Sequence, residues 1–141
     1  MHEILIEKTL SAPMKSVWAL LEDFANLDWY PPAERVEAVE EDGNLVRRIF
    51  MHGMDTPVDE KLEAIDATQM QFSYTIPGMP MQNYRVVVNL SPNGGNTDVR
   101  WHAVFTSVSE GINADDMVAL MTDTYGGMLL DLEKAASQHL A

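Results

Sequence analysis

Residues 113–139 read NADDMVALMTDTYGGMLLDLEKAASQH. Apolar side chains fall at Met117, Val118, Met121, Tyr125, Met128, Leu129 and Leu132, in steps of three and four. That spacing predicts one amphipathic helix with a single inward stripe. At 1.5 Å per residue such a helix is about 40 Å long, so it is the only element large enough to cover the face of a sheet. Gly126 and Gly127 interrupt it, at about 1 kcal/mol each relative to alanine. A kink or a close helix–sheet contact would account for the pair.

Upstream the period changes from helical to alternating. Residues 2–10, 35–41, 45–51, 58–65, 70–76, 82–90 and 98–106 read as strands. Turn residues separate them: Glu41-Asp42-Gly43-Asn44 supplies a hairpin, and Pro77-Gly78-Met79-Pro80 breaks the strand before it. Between the first two strands, Ser11 is placed to cap a helix with Pro13 in its first turn. Val17, Trp18, Leu20, Leu21 and Phe24 follow at helical spacing, and Ala25 to Asp28 forms a second short helical turn. Trp29-Tyr30-Pro31-Pro32 must leave the helix, because each proline disfavours α geometry in the residue before it. The order is strand, two short helices, six strands, long helix. Short turns between consecutive strands make the sheet antiparallel and the fold α+β, a curved sheet around the C-terminal helix.

The chain has 141 residues, enough for a single domain over 1–141 that needs no disulfide or structural metal. It has no cysteine, which removes thiolate and zinc-thiolate chemistry. The formal net charge of −13 repels nucleic-acid phosphates and anionic lipid surfaces. No apolar stretch is long enough to span a membrane, and the alternating N-terminus does not resemble a secretory signal. The composition leads us to expect a cytoplasmic protein with no nucleic-acid partner and no membrane span.

Alternation also assigns faces. Val99, Trp101, Ala103 and Phe105 share one face; Tyr84, Val86, Val88 and Leu90 another; Phe72, Tyr74 and Ile76 a third. All three are aromatic and aliphatic, as an inner face requires. By the same count Leu45, Arg47, Ile49 and Met51 point inward together, and so do Glu60, Leu62 and Ala64. A bulge near Phe50 would change the assignment beyond it, since a one-residue slip flips every side chain.

Several of these features together resemble a known superfamily. Ser11-Ala12-Pro13 with Val17-Trp18 is similar to its first helix. Leu45-Val46-Arg47, Glu60-Lys61-Leu62 with Asp66, Tyr74, Tyr84 and Val99-Arg100-Trp101 continue the pattern in order. The pattern resembles the polyketide cyclase/dehydrase group of the START-like (SRPBCC) helix-grip superfamily, over nearly the whole chain. The resemblance implies a seven-stranded sheet gripping the C-terminal helix, with a cavity between them for lipids, polyketides, hormones or similar molecules. It also implies a site. Lachrymatory-factor synthases of this superfamily use an arginine, a glutamate and a tyrosine, which Arg47, Glu60 and Tyr84 match. In the hormone receptors two loops gate the pocket; residues 53–57 and 77–81 occupy those places without the receptor gate and latch sequences.

Physical chemistry singles out the same pair. Buried ionised groups cost several kcal/mol each in desolvation, so an inward arginine and glutamate suggest a site rather than a stability device. Arg47 could hold a carbonyl or enolate oxygen, Glu60 could move a proton, and Tyr84 could donate a hydrogen bond. The alternative is a structural ion pair with no turnover. Met117 and Met121 lie with Tyr125 on the helix stripe and suit a pliable pocket wall, or ordinary core. Trp29, Phe72, Tyr74, Trp101 and Phe105 complete the expected apolar lining. Trp29 and Tyr30 either stack at a pocket entrance or seal the small helices. No metal motif, phosphate loop or serine elbow is present, and no cofactor is expected.

Three functions compete: binding of a small, largely apolar molecule; a cofactor-independent cyclase, dehydratase or isomerase using Arg47, Glu60 and Tyr84; and a protein-interaction module. The ligand is not specified by the sequence, nor is the oligomeric state, a homodimer being one option.

Overall fold

The computed structural model describes residues 1–138. The elements are β1 (His2–Leu10), α1 (Met14–Leu21), β2 (Ala33–Glu41), β3 (Asn44–Met51), β4 (Val58–Asp66), β5 (Gln71–Thr75), β6 (Met81–Gln82), β7 (Arg85–Asn93), β8 (Asn96–Phe105), β9 (Ser107–Val108) and α2 (Ala114–Gln138). Seven strands form one sheet in the order β1-β8-β7-β5-β4-β3-β2, with β6 and β9 paired separately. Every neighbouring pair is antiparallel. The sheet curls around α2, as the long apolar stripe requires: Met121, Tyr125, Met128, Leu129 and Leu132 are buried on it. The predicted last helical residue, His139, lies outside the described residues.

Local chemistry explains the element ends. Asp42 and Gly43 both have positive φ, 52° and 81°, the conformation of a two-residue hairpin turn between Glu41 and Asn44. Asn113 Oδ1 accepts the Asp116 N–H at 3.0 Å and caps α2. Asp115 and Asp116 follow in the first turn, where the helix dipole favours acids.

Four expectations need correction. Ser11 does not cap α1; Pro13 holds that position without a side-chain bond. Ser11 is engaged by the far end of α2 instead: its N–H donates to Glu133 at 2.7 Å and its carbonyl accepts from the Ser137 hydroxyl at 3.2 Å. The second short helix is replaced by turns, because Asn26 Oδ1 takes the Asp28 N–H at 2.9 Å, in competition with the helical ladder. The strand read over 82–90 is broken at Asn83, whose φ is 55°, so Tyr84 stands between β6 and β7 rather than within one strand.

The fourth correction concerns bulges. The β2–β3 irregularity falls between Ala33 and Arg35, opposite Phe50 rather than at it, and β3 keeps its alternation through Met51. A second one lies in β4 between Leu62 and Ala64. Leu62 pairs with Tyr74, but Ala64 pairs with Ser73 on the outer face, so Ala64 does not share the face of Glu60. Glu63 at the bulge accepts hydrogen bonds from the Ser73 hydroxyl at 2.9 Å and the Arg85 guanidinium at 2.6 Å, anchoring the extra residue to the outside of the sheet.

The paired glycines of α2 serve no close contact: a Cβ built on Gly126 or Gly127 meets nothing within 4 Å. Gly127 is also exposed. Gly127→Ala is therefore expected to stabilise the protein by about 1 kcal/mol, read as a rise in the urea midpoint. A loss of stability would show that the helix needs the glycine for a bend.

Candidate functional site

β3 and β4 place Arg47 directly opposite Glu60, and the alternation of both strands turns the two side chains inward. Arg47 Nε and Nη2 both meet Glu60 Oε1, at 2.7 Å and 2.6 Å. Nη1 donates to the Phe24 carbonyl at 2.9 Å. The guanidinium carbon lies 3.9 Å from the Phe24 ring centre and 5.0 Å from that of Tyr74, so ring faces cover the cation. Arg47 is 3% exposed. All three of its nitrogens are thus engaged, whereas Glu60 Oε2 takes no hydrogen bond among the described residues.

A cavity of about 240 Å³ opens beside this pair. Leu27 and Tyr30 line it from the turns after α1, Ile49 and Met51 from β3, Val58 and Glu60 from β4, and Ile76 from the end of β5. Met121, Thr124, Tyr125 and Met128 close it from α2. Met54, Met79 and Leu120 complete the wall; Met54 and Leu120 are more than half exposed, so they mark the mouth. Met54 and Met79 come from the two loops expected over the pocket. Five methionines thus form the wall, a lining that adapts to irregular shapes.

Of the expected site residues, Glu60, Met121 and Tyr125 reach this cavity. Arg47 stands behind Glu60 and touches the carboxylate, not the hollow. Tyr84 stands behind Tyr125; their hydroxyls share a short hydrogen bond. Burial is the main cause that raises the pKa of Tyr84, Tyr125 and Tyr74 above the ordinary phenol value. All three phenols are therefore protonated at neutral pH and able to donate.

The remaining expected residues lie elsewhere. Phe72, Tyr74 and Trp101 form a packed aromatic cluster with Trp18, Phe24 and Tyr125. Phe105 packs on Tyr84 and His2. Trp29 is buried against Tyr30, which alone of the two lines the cavity, and Met117 is half-buried outside it. The interior is thus solid on the α1 side and hollow between β3, β4 and α2. Ile49, Met51 and Ile76 share inward faces with Arg47 and Tyr74, so their direction was readable. That they border the hollow end was not. Leu120 and Thr124 flank the helix stripe and carried no signal of their own.

Among the described residues no group of His, Cys, Asp and Glu could hold a metal ion, and no helix is long and apolar enough to cross a membrane. Known proteins agree with this architecture. The protein XoxI from Bacillus cereus superposes with a TM-score of 0.84 at 23% identity, covering 100% of this chain and 99% of its own. Ara h 8.0201 superposes at 0.81 with 19% identity, covering 97% and 98%. TTHA0849 from Thermus thermophilus superposes at 0.76 with 20% identity, covering 99% and 100%. No curated protein matches the chain. The family model described as "Polyketide cyclase / dehydrase and lipid transport" matches residues 1–137, and the chain belongs to that family, with the helix-grip fold its sequence suggested.

Proposed function

We propose that the protein binds a small, largely apolar molecule in the cavity between β3, β4 and α2. The observation that carries this reading is the lining: a hollow of about 240 Å³ walled mainly by aliphatic and thioether side chains, with one carboxylate, two tyrosines and one threonine among them. Apolar walls with a few placed polar groups are the usual form of a small-molecule site. Family membership supports the same reading. The test is native mass spectrometry of purified protein, followed by extraction of whatever adds mass. Met121→Trp, which fills the hollow from α2, is expected to remove the bound mass while the circular dichroism spectrum stays native. Retention of ligand by that variant would place binding somewhere else.

One observation favours a second reading, an enzyme that moves protons without a cofactor. Glu60 is held through one oxygen only, and the other is free to act as base or acid at the cavity surface. Arg47 then acts as a positioning residue, and Tyr125, backed by Tyr84, supplies the phenol. Under this reading Glu60→Gln lowers turnover by about 10²–10⁴-fold while the ligand still binds. Under the binding reading neither form converts anything.

A further inference from the structure

We infer that the cavity selects uncharged ligands carrying a hydroxyl or similar N–H or O–H donor, with an apolar body of about ten heavy atoms, and rejects carboxylates. This rests on the cavity being the binding site. The size follows by scaling: an engineered cavity of about 150 Å³ holds benzene, and this one measures about 240 Å³.

The charge selection follows from the state of Arg47. An arginine this close to an apolar pocket would ordinarily receive an anion. Here Glu60 takes Nε and Nη2, the Phe24 carbonyl takes Nη1, and aromatic rings cover the guanidinium. Among the described residues, the sole charged one on the cavity wall is Glu60. A carboxylate entering the hollow would lose its water beside another carboxylate, with no cation on that wall to pair with it. A donor meets the opposite situation, because Glu60 Oε2 is an unfilled acceptor.

Tyr125 adds a second contact. Tyr84 is 2% exposed and does not reach the cavity. If Tyr125 gave its proton to Tyr84, the Tyr84 proton would be buried without a partner, which is costly. The economical arrangement has Tyr84 donating to Tyr125, which leaves the Tyr125 proton to turn into the hollow. The wall then offers the Glu60 carboxylate as its strong acceptor and the Tyr125 phenol as a donor, which a hydroxyl can satisfy together; Tyr30 brings a second phenol, and the Thr124 hydroxyl is spent on the Leu120 carbonyl at 2.9 Å.

The test compares naphthalene, 2-naphthol and 2-naphthoate by isothermal titration at neutral pH on the intact protein. The expected order is 2-naphthol first, about tenfold or more tighter than 2-naphthoate, with naphthalene between them. Glu60→Gln should narrow the gap between the two substituted probes to less than about threefold, because it removes the carboxylate that disfavours 2-naphthoate and weakens the acceptor that favours 2-naphthol. Equal or tighter binding of 2-naphthoate to the unaltered protein would overturn the selection while sustaining the cavity as the site. Failure of all three probes to bind would overturn both. The comparison on unaltered protein stands even if the variant does not fold.

Discussion

Arg47→Met is expected to destabilise the protein by about 3–5 kcal/mol, seen as a lower urea midpoint at unchanged slope. The loss has little to do with packing, since methionine fills much of the same space. It comes from what is left behind. The Glu60 side chain is 12% exposed and would lose both guanidinium bonds that compensate its burial. The Phe24 carbonyl would lose its donor, and two aromatic rings would lose the cation they face. The double variant Arg47→Met, Glu60→Leu should recover most of the loss, and replacing a buried pair with apolar groups can even stabilise by about 1–4 kcal/mol. Recovery would mean that the pair is kept for something other than stability, namely to hold a carboxylate at the cavity wall. That double variant should bind naphthalene and no longer prefer 2-naphthol. A loss below about 1 kcal/mol in the single variant would mean that water reaches the pair freely, and the buried Arg47–Glu60 pair described above would have to be given up.

How much of this was readable beforehand depends on the range of the forces involved. The long helix was legible because its stripe is local and runs for seven apolar positions from Met117 to Leu132. Arg47 and Glu60 were legible as inward because alternation is unbroken from Leu45 to Met51 and from Val58 to Leu62. Parity fails at Ala64, where the bulge at Glu63 depends on Ser73 and Arg85, 10 and 22 residues away. Tyr84 illustrates another limit. Its face was predictable, but its partner Tyr125 sits 41 residues on, and that contact decides which of the two phenols reaches the cavity. The hollow itself was the least legible feature. Phe72 and Ile76 share one face of one strand, yet Phe72 meets Trp18 and Phe24 while Ile76 meets open space. Alternation says which side of the sheet a residue occupies and nothing about what fills the space above it.

The boundary between solid and hollow makes Trp101 the other position of large expected effect. Its ring is 1% exposed and meets Phe72 at 6.4 Å and Tyr74 at 6.5 Å, both edge-on, and Tyr125 at 5.6 Å. Trp101→Ala should cost about 3–5 kcal/mol, the transfer of a large side chain plus the void left behind. The void would open behind Tyr125, which forms part of the cavity wall. Tyr125 could then relax away from Tyr84, so the variant should also show a weaker preference for 2-naphthol over naphthalene, Glu60 being left in place. Trp101→Phe separates the two contributions. Trp101 Nε1 is buried without a hydrogen-bond partner among the described residues, and phenylalanine removes that donor while keeping a ring against Phe72 and Tyr125. Its cost should stay below about 2 kcal/mol, since relief of an unsatisfied donor offsets part of the lost volume. The ligand preference should be retained. Equal costs for the two substitutions would mean that the aromatic cluster does not brace Tyr125, and that the cavity wall is held by α2 alone.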